Sequence, residues 1–262
     1  MAQLEQVLHQ FHEDLERAGH LLRLIKEFRR FAGSKPPVEV TDGTVAWLEA
    51  SDLADVAPAV RTDLPILAGS ILLYVCGRFE YFAREIVVAL ADEAAAQVSE
   101  YADLPDKLRA ELKHKTLEVA QSPSRFGFTS PDAEQMLIAL GQNLGGAGSV
   151  GAVTISSRVL SITESNMNSN TLVEVLKRVG VIDVWTDLGK QAPLKSYLSI
   201  GNDKESMLEA KVRLDSMMKD RNGVAHPTGA NTFPDPDQVL ESVAFLRVLS
   251  QVIIDVVRVP RQ

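Results

Sequence analysis

Apolar residues at alternating spacings of four and three open the chain: Leu4, Leu8, Phe11, Leu15, Ala18, Leu22 and Ile25. That is the a/d pattern of a heptad, and only an α-helix puts such a set on one face. The pattern stops near Phe31-Ala32-Gly33, just before Ser34-Lys35-Pro36-Pro37. About three heptads suit a helix in a bundle as well as a coiled coil, and the bundle is favoured because isolated coiled coils usually run longer. The first constraint is therefore an amphipathic helix that needs helical neighbours to cover it.

The rest of the chain supplies them. A long helix is expected after Pro65, with Ile71, Val75, Phe79, Phe82, Ile86 and Leu90 on a broad apolar face. The run Ile66 to Glu100 is apolar around more than half its circumference, which places it centrally. A charged surface helix is expected over Pro105 to Ala120. Residues 121–130 read as a loop, and a helix opens with Ser130 as cap and Pro131 at N1, running to Leu140. Helix signals return at Ser169-Asn170-Thr171-Leu172 and end at Arg178-Val179, with Gly180 as the C′ glycine. A less regular stretch carries Trp185, Leu188 and Leu194. A strong helix opens at Asn202 or Asp203, a polar Pro-rich loop covers 227–236, and a last helix runs from about Asp237 to Val259 with Val239, Val243, Leu246, Leu249 and Ile253 inward.

Residues 34–60 admit two readings. Val38 to Val45 contains Asp42-Gly43 between β-rich flanks and fits a small hairpin, or equally a loop leading to a helix capped at Thr44. A short helix capped by Ser51 fits up to Val60. Residues 141–157 are rich in Gly and Ser and read as a flexible loop. No Gly-Lys-Ser/Thr follows, so it is not a P-loop, and no βαβ unit makes it a dinucleotide fingerprint.

Composition removes several classes. The 262 residues are 45% hydrophobic and 24% charged, ordinary globular values. No uninterrupted apolar run approaches the roughly 20 residues of a spanning helix. The first residues carry no basic and apolar signal segment, and Cys76 is the only cysteine, so a cytoplasmic, disulfide-free chain is expected. Cys76 sits among apolar residues and reads as core rather than nucleophile. His9 and His12 have no companion ligands, so no metal and no cofactor is expected. The net charge of −8 is wrong for a general nucleic-acid binder, and any polyanion would have to meet a local basic site.

One local site stands out, though not by its regular expression. The looser pattern, Arg then His after four to six residues, is matched by Arg109…His114 and Arg221…His226, and about one match is expected by chance in a chain with these counts. Arg109 and His114 lie in Asp106-Lys107-Leu108-Arg109-Ala110-Glu111-Leu112-Lys113-His114-Lys115, a solvated charged helix. Arg221 instead continues a helical stripe of Met207, Lys211, Leu214, Met218, Arg221 and Ala225. An arginine there is costly without a partner or a role. Asn222 and His226 are i,i+4 neighbours, and Pro227 disfavours helical geometry at His226, so the helix should stop there. A guanidinium, an amide and an imidazole at one last turn suit a phosphate. The plain alternative is a C-terminal cap in which Arg221 pairs with Glu80 or Asp215 and His226 meets the last carbonyls.

The stretch Leu214 to Pro227, with Arg221-Asn222-Gly223-Val224-Ala225-His226 at its centre, resembles the last core helix of HEPN domains, which carry Arg, a polar residue and then His. Leu72 to Phe82, with its aromatic–Glu pair Phe79-Glu80, resembles an early core helix of the same superfamily. The prokaryotic RiboL-PSP-type branch is the one it resembles most. The resemblance covers about residues 62–258 and is motif-specific only at Arg221 to His226; Pro227 stands where relatives often have Gly. It implies an all-α helical bundle over 61–262, with residues 1–60 as an N-terminal helical extension, and a homodimer in which two motifs face one cleft. It also implies metal-independent cleavage of single-stranded RNA, with catalytic roles for Arg221, Asn222 and His226 and with Glu80 orienting Arg221 across the bundle; Asp215, named in the cap alternative, is the other acid expected adjacent to the site. Relatives often act in phage defence or toxin–antitoxin systems, so an antitoxin or defence partner is an associated expectation. The competing expectation is a non-catalytic dimeric adaptor or ligand-binding module of the same fold.

Overall fold

The structure, a computed structural model, describes residues 2–33, 48–145, 153–226 and 233–259. Among these there is no strand, and the chain is an all-α bundle. Its helices are α1 (Ala2–Gly33), α2 (Leu48–Val60), α3 (Leu64–Ala96), α4 (Asp106–Gln121), α5 (Ser130–Leu144), α6 (Ser169–Arg178), α7 (Val184–Gly189), α8 (Ala192–Leu198), α9 (Asp203–Ala225) and α10 (Pro236–Val257). Short 3-10 turns at Tyr101–Asp103, Pro123–Phe126 and Ser157–Ser161 join some of them.

The heptad face of α1 lies in the core: Leu4, Phe11, Leu15, Ala18 and Leu22 are each at most 2% exposed. It packs antiparallel against both α3 and α10 rather than forming a separate coiled coil. Phe11 stacks on Phe82 at 4.8 Å and tilts against Phe79 at 6.0 Å. Burying each such ring contributes about 1.5–3 kcal/mol. Polar pairs fix the register along α10: Glu5 with Arg258, His12 with Ser250, Glu16 with Arg247, Lys26 with Asp237, and Arg29 with Asp235. Toward α3, the buried Asp14 carboxylate accepts from Tyr74 Oη at 2.8 Å, from Arg78 Nε and from Arg17. The core is continuous from α1 through α10.

α3 occupies the centre, touching α1, α6, α9 and α10. It is long and apolar enough to cross a membrane, against the reading that no segment approached that length. The apolar length is explained by burial: Val75, Phe79, Ala83, Ile86 and Val87 are fully covered by neighbouring helices.

Helix ends follow the residues' chemistry, with some shifts from expectation. α5 is capped by Thr129, not Ser130: its hydroxyl accepts from Asp132 N–H and the Asp132 carboxylate accepts from Thr129 N–H, which makes Pro131 the second helical residue. α5 also continues through Gly141 to Leu144, into the stretch expected to be loop. α6 ends as expected, with Gly180 at φ +88 and with Gly180 and Val181 N–H reaching the carbonyls of Lys177 and Leu176. α2 begins at Leu48, so Ser51 lies inside it rather than at its cap. The hairpin alternative at 38–45 and the Thr44 cap fall outside the described residues. The irregular 185–194 stretch resolves into α7 and α8, and Gly189 lets α7 sit directly on the start of α9.

Candidate functional site

α9 carries the motif. Asn202, one of the two expected caps, accepts from the Lys204 and Glu205 N–H groups, and Asp203 and Glu205 in the first turn complement the helix dipole. The helix ends at Ala225. His226 leaves helical geometry (φ −127, ψ 69) while its N–H still reaches the Asn222 carbonyl at 2.9 Å. The stop falls at the residue before Pro227, as the sequence requires.

The stripe leading to Arg221 faces inward. Leu214 and Met218 are buried, while Lys211, Arg221 and Ala225 are half-buried. Arg221 lies close enough to Cys76 of α3 to act on its thiol. Burial pushes that thiol up to about 12, Asp220 adds to the rise and the Arg221 guanidinium only partly opposes it. Cys76 is therefore a protonated core residue at neutral pH, as expected.

Arg221 Nη1 donates to Asn222 Oδ1 at 3.2 Å. Among the described residues no carboxylate lies within ion-pair distance of it. Both acids proposed for that role are engaged elsewhere. Glu80 accepts from the Thr163 hydroxyl at 2.8 Å and lies 3.5 Å from Arg84. Asp215 accepts from both Ser169 N–H and Ser169 Oγ at 2.8 Å, satisfying the first turn of α6. The alternative in which Arg221 is simply neutralised by Glu80 or Asp215 is thus not what the structure shows. Its neighbour Asp220 turns the other way, accepting from Gln238 of α10 at 2.9 Å, and burial raises its carboxyl above the usual range.

Sequence reasoning missed Asn166. Its Nδ2 donates to Asn222 Oδ1, so the Asn222 carbonyl oxygen is held by two donors, Asn166 and Arg221. Fifty-six positions separate the two residues, and Asn166 sits in an irregular Ser165-Asn166-Met167-Asn168 run with no periodicity to mark it. Arg221, Asn222 and His226 thus share the last turn of α9 with Asn166 beside them, while Glu80 and Asp215 hold neighbouring segments in place.

The second Arg-x4-His pair differs as expected. Arg109 pairs with Asp106 one turn back, and His114 is exposed, 4.0 Å from Glu118 on the same helix. His9 faces Glu13 at 3.6 Å, and among the described residues no three His, Cys, Asp or Glu side chains gather as metal ligands.

A protein-family model described as RiboL-PSP-HEPN matches residues 48–258, which span α2 through α10 and include the whole of the α9 motif. No curated protein and no solved structure matches the chain.

Proposed function

The chain belongs to the RiboL-PSP-HEPN family, and from that premise we propose that it is an endoribonuclease that cleaves single-stranded RNA at the end of α9. The observation that carries the reading is Arg221: a half-buried guanidinium at a helix terminus with no carboxylate partner among the described residues, beside an exposed histidine. Holding such a cation partly out of water without a counter-charge is costly, and a phosphate would remove the cost.

In this reading the ribose 2′ oxygen attacks the adjacent phosphorus as His226 takes its proton. The P–O5′ bond breaks, the 5′ oxygen of the next nucleotide leaves as a hydroxyl with a proton from the imidazolium or from water, and a 2′,3′-cyclic phosphate remains. Arg221 stabilises the charge growing on the phosphate oxygens. Asn222, its carbonyl oxygen held by Asn166 and Arg221, presents amide N–H groups that position phosphate or imidazole. The chemistry needs no metal. Two copies of the motif facing one cleft would double the local positive charge, which answers the net charge of −8. A cytoplasmic role in phage defence or as a toxin fits the same reading.

A second reading is a ligand-binding or adaptor module of the same fold without catalysis, and the acidic net charge favours it. Cleavage of single-stranded RNA by wild type, Arg221→Ala and His226→Ala separates the two. A nuclease loses about 10²–10⁴-fold with His226→Ala and about 10²–10³-fold with Arg221→Ala. Unchanged cleavage in both variants, or none by wild type, leaves the adaptor.

A further inference from the structure

Beyond the motif, a polar cavity lies against the segment that leads to Asn166. It has a volume of about 450 Å³ and is lined by Arg84, Arg125, Phe126, Ile162, Thr163 and Glu164. Residues 162–166 connect it to the α9 site and are fastened at several points. Arg178 Nη1 donates to the carbonyls of Leu160 and Ile162, each at 2.7 Å. Thr163 donates to Glu80 on α3, and Asn166 donates to Asn222 in the motif. The strip is therefore a fixed floor with an arginine site at each end, and preorganised donors bind at a lower ordering cost.

The cavity's cations are partly satisfied. Arg84 Nη2 donates to Thr163 at 3.1 Å and lies 3.5 Å from the Glu80 carboxylate, but its Nε is shut off from solvent with no acceptor. Turning that guanidinium toward an anion in the cavity would give it the acceptors it lacks. Arg125 pairs with Glu164 at 2.8 Å, but the two side chains are 63% and 52% exposed. Exposed pairs of this kind are weak and easily displaced by a phosphate. The Arg125 guanidinium lies 5.4 Å from the centre of the Phe126 ring, so drawing it to a phosphate uncovers a platform on which a base can stack.

We propose that the Arg84–Arg125 cavity is a second phosphate-and-base subsite for the same single-stranded RNA, taking a nucleotide roughly three to four positions along from the one held at Arg221; this rests on the nuclease reading. Cys76, which feels Arg221, and Arg84 are eight residues apart on α3. That is about 12 Å at the helical rise, or roughly three to four nucleotides at a stacked rise of ~3.4 Å.

The test uses full-length His226→Ala, so that binding is read without cleavage. Affinities for uridylate oligomers of about three and about ten nucleotides are measured over a salt series, the longer chosen to exceed the roughly three-to-four-nucleotide span at that rise. Adding Arg125→Ala is expected to weaken the longer RNA about tenfold and to lower its salt slope by ~0.7, the loss of one phosphate contact. The shorter RNA should bind unchanged, as should the melting midpoint. Adding Glu164→Gln instead, which frees Arg125, is expected to tighten the longer RNA two- to threefold, whereas a merely structural pair would leave it the same or weaker. Equal affinity and slope with and without Arg125→Ala overturn the subsite while leaving the nuclease reading intact. No binding of either RNA by the His226→Ala protein overturns both.

Discussion

Gly189 sets how closely α7 approaches α9, and Gly189→Ala tests that packing independently of any activity. A Cβ built there lies 2.5 Å from the Asp203 carbonyl oxygen, 2.8 Å from Met207 Cβ and 3.2 Å from Met207 N. Ordinary contact begins near 3.4 Å, so the helices must part by about 0.9 Å (3.4 − 2.5) or tilt. The obstructing atoms are backbone and a Cβ, which no rotamer change can move. Overpacking of this kind costs about 1–3 kcal/mol, and the upper half applies here. Alanine returns at most ~1 kcal/mol of helix propensity, less at a last helical residue. The net expectation is a destabilisation of about 2 kcal/mol, or about 4–8 °C in melting midpoint for a chain of this size. Gly77→Ala is the control: a Cβ there meets nothing within 4 Å, so in mid-α3 it should stabilise by ~0.5–1 kcal/mol. Urea unfolding of the three proteins, followed by helical circular dichroism, reads both effects. Gly189→Ala within about 0.5 kcal/mol of wild type, the ordinary surface range, would refute the reasoning.

Other perturbations read different parts of the molecule. At Gly69 an added Cβ meets Phe233 Cδ1 at 2.8 Å and Val224 Cγ1 at 3.1 Å; because Val224 lies inside the motif, on the proposed nuclease reading Gly69→Ala should lower RNA cleavage about 10²-fold through displaced geometry, with little change in urea midpoint. Asp14→Ala strands Arg78 and Tyr74 beside α1, and a loss of about 2–3 kcal/mol is expected in the same denaturation assay, near the lower end for a broken buried pair because Arg78 is partly solvated. Asp220 has its carboxyl raised by burial, so the folded state binds its proton more tightly than the unfolded chain and stability grows as pH falls toward that raised value. Asp220→Asn should therefore raise the melting midpoint at pH 7, by well under about 1 kcal/mol given solvent screening, and the gain should shrink by pH 4.

The elements legible from sequence were those with strong periodicity or a local end signal. The α1 stripe, the apolar breadth of α3, the Gly180 stop and the Pro227-imposed end of α9 each depend on residues within a few positions of one another. The two Arg-x4-His pairs also differ in their surroundings: Arg109 pairs with Asp106 on its own helix, while Arg221, although it follows Asp220, donates to Asn222 and has no ion pair among the described residues. What escaped was tertiary. The family resemblance puts Glu80 beside Arg221, but Thr163 and Arg84 hold its carboxylate, and both the Thr163 and Asn166 contacts bridge stretches more than fifty residues apart. The Thr129 cap was missed for a different reason: Thr129 and Ser130 are both good caps, and only Asp132 at the third helical position selects the threonine.

The protonated, covered state of Cys76 has a practical side. With its thiol raised to about 12 and only 3% of the residue exposed, the chain's one cysteine will not react with maleimide or methanethiosulfonate reagents near neutral pH. Every protomer is thus a naturally blank background for site-directed labelling. A nitroxide placed through Leu208→Cys, on the exposed side of α9, would be the sole spin on each chain. Any dipolar distance recorded would then have to run between two copies of the chain, so pulsed resonance tests the proposed pairing of motifs without first removing a native thiol, and no dipolar distance would count against it.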